Sequence, residues 1–192
     1  ERYLELAKEL EALGCQTLCI KDMAGLLNPF TSRELVSRLK ETVSIPIHLH
    51  CHSTSGMAEG AYLMGIEAGA DIVDVAISSM AGGTSQPPTE SLVATLQNTK
   101  HDTGLDLGAL SEVAEYFREV RQKYASFESN HTGVDPRVLR NQIPGGMISN
   151  LANQLREQGA LEHMDAVLEE VPKVRADLGY PPLVTPTSQI VG

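Results

Sequence analysis

Short apolar runs of strand length alternate with helical segments through the first half of the chain. The apolar runs cover residues 16–20, 45–52 and 71–76. The helical segments cover residues 2–13, 31–41, 55–68 and 89–96, the second of them starting on a capping-box pattern at Thr31 to Glu34. Strands that recur at intervals of about 30 residues or less, with a helix in each interval, are typical of βαβ units. We therefore predict an α/β fold with three parallel strands in this half.

Beyond residue 104 the pattern changes to helices alone. Amphipathic helices are predicted at residues 110–120, 147–157 and 161–171, and no strand-like run returns before the extreme C-terminus. The predicted organisation is a strand-bearing part at residues 1–104 and a helical part at residues 105–192.

Composition and charge exclude several classes of function. The chain has 15 basic and 25 acidic side chains, and its net charge of −10 would repel a phosphate backbone, so we expect no nucleic-acid partner. No apolar run approaches the roughly 20 residues of a membrane span, and no signal sequence opens the chain. Cys15, Cys19 and Cys51 are an odd number in apolar surroundings, which favours reduced core thiols. We expect a cytoplasmic protein with no direct membrane insertion.

Three histidines lie on one face of the predicted strand at residues 45–52. Because side chains alternate along a strand, His48, His50 and His52 point one way and the apolar residues between them point the other. In a (β/α)8 barrel the polar face would line the interior, with His50 and His52 nearest the mouth, where active sites lie. A pair at positions i and i+2 can bind one metal ion, and satisfied core histidines are the alternative.

Lys21 ends the preceding strand with the same predicted inward orientation. An ammonium group beside a divalent metal is unfavourable, so the residues alone leave three interpretations open. Lys21 could form a Schiff base, pair with Asp22 or Asp74, or be carbamylated by CO2 into an anionic ligand. The ion pair is the default on physical grounds.

Five stretches, in order along the chain, resemble the carboxyltransferase domain shared by pyruvate carboxylase, the oxaloacetate decarboxylase α subunit and transcarboxylase. They are KDMAG at 21–25, HLHCHSTSG at 48–56, MAGGTSQP at 80–87, NQIPGG at 141–146 and LVTPTSQ at 183–189. The resemblance covers essentially the whole chain. It implies the C-terminal part of a (β/α)8 TIM barrel, with the last three strands, followed by a helical post-barrel domain.

The resemblance also implies a site. In that family the lysine of the first stretch is carbamylated and binds a divalent metal with the two histidines of an HxH pair, which assigns Lys21, His50 and His52 as ligands here. The family's fourth ligand, an Asp from the first barrel strand, has no counterpart in this chain. The family's proton-relaying Thr corresponds to Thr185, with Ser188 near the biotin ring. From the residues alone, Thr185 would be a turn residue before proline, and Zn, Mn and Co would each accept these ligands.

The implied reaction moves a carboxyl group between biotin and pyruvate or oxaloacetate, through an enolate stabilised by the metal and nearby donors. The expected partners are a biotinyl carrier domain or subunit, other carboxylase or decarboxylase subunits, and further copies of the chain in a homo-oligomer. The residues do not distinguish an oxaloacetate decarboxylase α subunit from a pyruvate carboxylase B subunit.

Two other functions remain open. A metal-dependent aldolase or lyase of the related barrel superfamily would share the HxH pair without needing a carbamylated lysine or the VTP stretch. A non-catalytic module would serve assembly of a larger carboxylase or dock a biotin carrier, because three strands cannot close an eight-stranded barrel. We interpret the chain as a fragment lacking about five upstream strands, and expect the fragment alone to be inactive.

Overall fold

The computed structural model describes residues 1–125, 128 and 133–180. The strands within these residues are β1 (Leu18–Asp22), β2 (Ile47–Cys51) and β3 (Ile72–Val73), and two 3-10 turns cover Ser78–Met80 and Leu161–His163. The helices are α1 (Arg2–Ala12), α2 (Pro29–Thr42), α3 (Ala58–Glu67), α4 (Thr89–Leu96), α5 (Leu107–Gln122), α6 (Val138–Asn141), α7 (Gly145–Glu157) and α8 (Met164–Asp177). The chain therefore has an α/β fold, as the alternation of apolar runs and helices predicts.

The three strands form one parallel sheet in the order β1-β2-β3. In the register of β1 on β2, Lys21 lies opposite His50. The predicted parallel sheet is thus confirmed, although β3 is shorter than the predicted run at residues 71–76.

The hydroxyl of Tyr62 lies between the end of β2 and the residue that follows β3. It accepts from the Cys51 N–H at 2.9 Å and donates to the Asp74 carbonyl at 2.7 Å. The hydroxyl thus takes the place of a direct backbone hydrogen bond between these two segments, and the regular pairing of β2 with β3 ends here.

Side chains of β2 alternate between the packed face of the sheet and the opposite face. Ile47, Leu49 and Cys51 are fully buried, whereas His48 and His50 are only half-buried. The apolar face packs on α1, α2 and α3 in the main core, whose buried members are Ala7, Val36, Leu39, Val43, Ile47, Leu49, Cys51, Ala58 and Tyr62. This burial agrees with the predicted two-residue period and leaves the histidines on the other face.

Helix α2 begins earlier than the capping-box pattern at Thr31 predicts. The N-cap is Asn28, whose side chain accepts from the Thr31 N–H at 3.0 Å, and Pro29 occupies the first helical turn. Proline at this position costs no hydrogen bond and presets the helical φ angle, so the Asn-Pro pair determines the start. Helix α3, in contrast, is shorter than the predicted helix 55–68, because it covers only Ala58–Glu67.

Among the described residues, no strand follows β3, as predicted. The short helix α6 was not predicted, and α8 continues past the predicted end at residue 171 through Pro172. A small second core joins α7 and α8, with buried members Ile143, Met147, Ile148 and Leu168. None of the described helices is long and apolar enough to cross a bilayer.

Contacts between the helical part and the loops after β2 and β3 connect the two halves of the chain. The Asp135 N–H donates to the Thr54 carbonyl at 2.8 Å, and Arg121 donates to the Ser79 carbonyl at 2.7 Å. Gly145, at the start of α7, leaves no room for a side chain, because a Cβ there would overlap the methyl group of Thr84. The helical part is therefore packed directly on the loops that follow the strands.

Candidate metal site

His50 is oriented by a carboxylate from the neighbouring strand segment. Its Nδ1 lies 2.7 Å from Asp74 Oδ2, and the other oxygen of the same carboxylate lies 2.8 Å from His48 Nε2. Burial opposes ionisation of Asp74, but the contacts with His50 and His48 outweigh it and lower the pKa of the carboxyl group. Because an ionised carboxylate only accepts, this contact requires a proton on His50 Nδ1, and in the tautomer that satisfies it the lone pair lies on Nε2.

His52, just beyond the end of β2, is oriented by the backbone. Its Nδ1 lies 2.5 Å from the carbonyl oxygen of Thr84. A carbonyl also only accepts, so Nδ1 carries the proton and Nε2 again presents a lone pair. Burial lowers the pKa of His52, although the hydrogen bond to Thr84 works in the opposite direction. Burial therefore favours the neutral form of the His52 ring.

The two free Nε2 atoms, one from His50 and one from His52, face each other at a distance of 3.2 Å. Two lone pairs at this distance repel unless an electrophile lies between them. A metal ion bound to two imidazoles at about 2.0–2.1 Å separates their nitrogens by about 2.9–3.4 Å for ligand angles between octahedral and tetrahedral. The observed pair fits that range, and the residues present therefore fit two ligands of a divalent metal.

The amide nitrogen of Gln86 lies 3.4 Å from each of the two Nε2 atoms. Gln86 belongs to the loop after β3 whose Thr84 carbonyl holds His52. An amide NH2 carries two hydrogens and can face both lone pairs at once. This loop therefore supplies both a support for one ring and a polar side chain at the point where the rings converge.

Lys21 is exposed on the same face as His50, its register partner in β2. In the described part of the chain Lys21 forms no ion pair, so the default interpretation of a pair with Asp22 or Asp74 is wrong. Asp74 is instead occupied by two histidines, and Asp22 accepts from the Leu27 N–H at 2.7 Å. The carboxylates that could have neutralised Lys21 are used elsewhere.

The turn after β1 is fitted closely to the end of β2. Gly25 has a φ of +70°, and a Cβ at this position would overlap the carbonyl oxygen of His52. The hydroxyl of Ser55 donates to the Gly25 carbonyl, which joins the same two segments. Because Gly25 has no side chain, the backbone that follows Lys21 can lie close to the backbone of the candidate ligand His52.

The described residues contain no cluster of three or more His, Cys, Asp or Glu side chains arranged to hold a metal. The structure brings together His50 and His52, with Lys21 on the adjacent strand, whereas Thr185 and Ser188 lie outside the described residues. The roles of Tyr62 and Gln86 are not predicted from the sequence, which indicates Asp74 only as a partner for Lys21. The signal for Asp74 was an acidic residue inside an apolar strand, where a charge needs a partner.

Comparisons with known proteins place the chain in a family. Residues 1–117 match the HMGL-like family and residues 138–192 match the family described as the conserved carboxylase domain. The chain therefore belongs to the HMGL-like family. The match to the conserved carboxylase domain lies in the second half of the chain. It agrees with the resemblance of the five stretches to the carboxyltransferases.

Individual relatives narrow this placement. The chain is 62% identical to the pyruvate carboxylase B subunit of Methanocaldococcus jannaschii and 55% identical to that of Methanothermobacter thermautotrophicus, covering all of this chain and 34% of each relative. The carboxyl transferase domain from Rhizobium etli pyruvate carboxylase, solved with pyruvate, is 38% identical with a TM-score of 0.94, over 98% of this chain and 32% of that chain. The chain thus spans about a third of the length of the curated relatives it matches, and it is homologous to the carboxyltransferase domain of pyruvate carboxylase.

Proposed function

We propose that the chain is part of a biotin-dependent carboxyltransferase that moves a carboxyl group between biotin and pyruvate or oxaloacetate. The observation that carries this proposal is that the Nε2 atoms of His50 and His52 lie 3.2 Å apart, with each ring oriented by an oxygen near its opposite nitrogen. The similarity to pyruvate carboxylase B subunits, at 62% and 55% identity, favours carboxylation of pyruvate as the reaction direction.

In this proposal His50, His52 and a carbamylated Lys21 hold the metal. Carbamylation would turn an unpaired cation beside two imidazoles into an anionic ligand, which removes the repulsion between an ammonium group and a divalent ion. The bound metal, Zn, Mn or Co, would supply positive charge that stabilises the enolate of pyruvate. An Asp of a first barrel strand, which this chain does not contain, would be the remaining protein ligand.

The proton is moved by Thr185 in this proposal, and Ser188 lies near the biotin ring. A hydroxyl suits a relay because it donates and accepts within one hydrogen-bond length. The packing of Gly145 on Thr84 and the bond from Asp135 to Thr54 support a helical part that leads back to the loops around the metal site.

The proposed architecture is a (β/α)8 barrel to which residues 1–104 contribute the last three strands, with residues 105–192 as a helical post-barrel domain. The complete protein would act in the cytoplasm as a homo-oligomer with a biotinyl carrier and other carboxylase subunits. Exposure of one sheet face that carries His48, His50 and Lys21 supports further strands closing over it.

Metal content tests the ligand assignment directly. In the full-length protein, His50→Ala or His52→Ala should lower bound metal from one equivalent toward zero in elemental analysis. His163→Ala is the matched control, because the His163 side chain is exposed in the helical part and its ion pair among the described residues is with Glu162 at 3.9 Å. Unchanged metal content in both site variants would contradict the assignment.

Activity tests the proton relay separately from metal binding. Thr185→Ala in the full-length protein should abolish carboxyl transfer from biotin to pyruvate while metal content stays at the wild-type value. Thr187→Ala, in the same stretch, is the control and should retain transfer. Transfer that survives in Thr185→Ala would refute the relay, and turnover without biotin would favour the aldolase or lyase alternative.

A further inference from the structure

The backbone of Asp74 is held independently of its side chain. Its N–H donates to the Leu49 carbonyl at 3.0 Å, and its carbonyl accepts from the Tyr62 hydroxyl at 2.7 Å. Both bonds survive any substitution at this position that keeps the backbone in place. The strand segment therefore does not need a carboxylate, and the side chain is available for another task.

The two carboxylate oxygens of Asp74 are divided between two rings. Oδ2 lies 2.7 Å from His50 Nδ1 and Oδ1 lies 2.8 Å from His48 Nε2. His48 thus contacts the carboxylate from the deeper side, without the alignment of a hydrogen bond, while the carboxylate is hydrogen-bonded to His50 at the end of the strand. This arrangement fixes the plane of the His50 ring as well as the position of its proton.

We propose that Asp74 is the positioning residue of the metal site, keeping His50 in the tautomer whose Nε2 lone pair faces His52. The inference rests on the proposed function, because the contact between Asp74 and His50 positions a metal ligand only if His50 binds the metal. Carboxylates that accept from the second nitrogen of a ligating histidine orient the ring and raise its basicity, and their loss commonly weakens metal binding by about 10–100-fold.

The other ligand has no such dependence on a side chain. His52 donates to the backbone carbonyl of Thr84, an acceptor present whatever residue occupies that position. Substitution of Asp74 should therefore disturb one ligand of the pair and leave the second in place. Weakened binding, and not complete loss, is the expected result.

Three variants of the full-length protein test the inference. Asp74→Leu removes both acceptor oxygens while keeping the number and branching of the side-chain heavy atoms, whereas Asp74→Asn keeps one of the oxygens. Asp71→Asn is the matched control, because Asp71 precedes the same strand but accepts from the Ile47 N–H and Lys40, at the end away from the histidines. Co²⁺ affinity is measured by competition with a chelator, and the visible absorption of bound Co²⁺ reports the ligand geometry.

The expected loss of affinity is about 10–100-fold for Asp74→Leu and smaller for Asp74→Asn, with an altered Co²⁺ spectrum in both and neither change in Asp71→Asn. If Asp74→Leu does not fold, the Asn variant carries the same comparison. Wild-type affinity and spectrum in Asp74→Asn or Asp74→Leu overturn the positioning role while the metal site stands. A wild-type protein that binds no Co²⁺ overturns the inference together with the proposed function.

Discussion

Removal of the Tyr62 hydroxyl group should lower the local stability of the protein. Tyr62 is fully buried, and its hydroxyl accepts from the Cys51 N–H at 2.9 Å and donates to the Asp74 carbonyl at 2.7 Å. Burial raises the pKa of Tyr62, so the hydroxyl keeps the proton that it donates. Tyr62→Phe keeps the ring and removes the partner of the buried Cys51 N–H and of the partly buried Asp74 carbonyl.

Each fully buried unpaired group costs about 1–3 kcal/mol, and the Asp74 carbonyl is only partly buried, so Tyr62→Phe should lower the free energy of local opening by about 2–4 kcal/mol, less than the full sum of about 2–6 kcal/mol. A loss of 1.4 kcal/mol is a factor of ten in an equilibrium constant, and 2–4 kcal/mol therefore corresponds to amide exchange about 30–700 times faster. Hydrogen exchange of the Cys51 amide in the full-length protein measures this effect where it arises.

Tyr116→Phe is the control for loss of a phenolic hydroxyl, because the Tyr116 side chain is 64% exposed. That variant should leave exchange of the Cys51 amide unchanged and stability within about 0.5 kcal/mol of wild type. Cys51 exchange in Tyr62→Phe within a factor of two of wild type would refute the bridging role of the hydroxyl.

Three further predictions concern the turn after β1, an ion pair and a thiol. Gly25→Ala should cost about 1–3 kcal/mol more in urea unfolding than Gly14→Ala, because both have positive φ but only Gly25 would overlap a neighbouring carbonyl; equal losses would contradict this. Burial raises the pKa of Asp71, but the Ile47 amide bond and Lys40 outweigh it and lower that pKa below 3.8. Asp71→Asn should therefore lower the free energy of unfolding by about 1–2 kcal/mol at pH values above the usual Asp pKa, and by less as the pH falls below it. A loss that does not change with pH would show that these bonds contribute nothing. Burial raises the pKa of the Cys51 thiol to about 12, so iodoacetamide should label Cys51 only after denaturation, whereas the exposed Cys19 should be labelled in the native protein. Labelling of Cys51 itself in the native protein, located by peptide mapping, would refute its burial.

Local periodicity determined the part of the candidate site that the sequence predicts well. The two-residue period of β2 places His48 and His50 on one face, and burial of Leu49 between them agrees. Only the neighbouring residues are needed for that inference, because the alternation is a property of the strand itself. The family resemblance added the roles of ligand and proton relay, which geometry alone does not supply.

The groups that orient the histidines could not be found in the same way. Asp74 is 24 residues from His50 and Thr84 is 32 residues from His52, so both contacts depend on how strands and loops come together.

The predicted start of helix α2 was wrong for a different reason. Two signals competed at α2, and the rigid Pro29 after the Asn28 cap prevailed over the weaker capping box.

The Thr84 carbonyl that supports His52 has an evolutionary consequence. A main-chain oxygen persists through every substitution at its position, so drift at residue 84 can alter shape but cannot delete the support. His50, in contrast, is supported by a side chain that one codon change removes. Among relatives that have diverged in metal affinity, we expect the responsible changes to concentrate at position 74 and not at position 84.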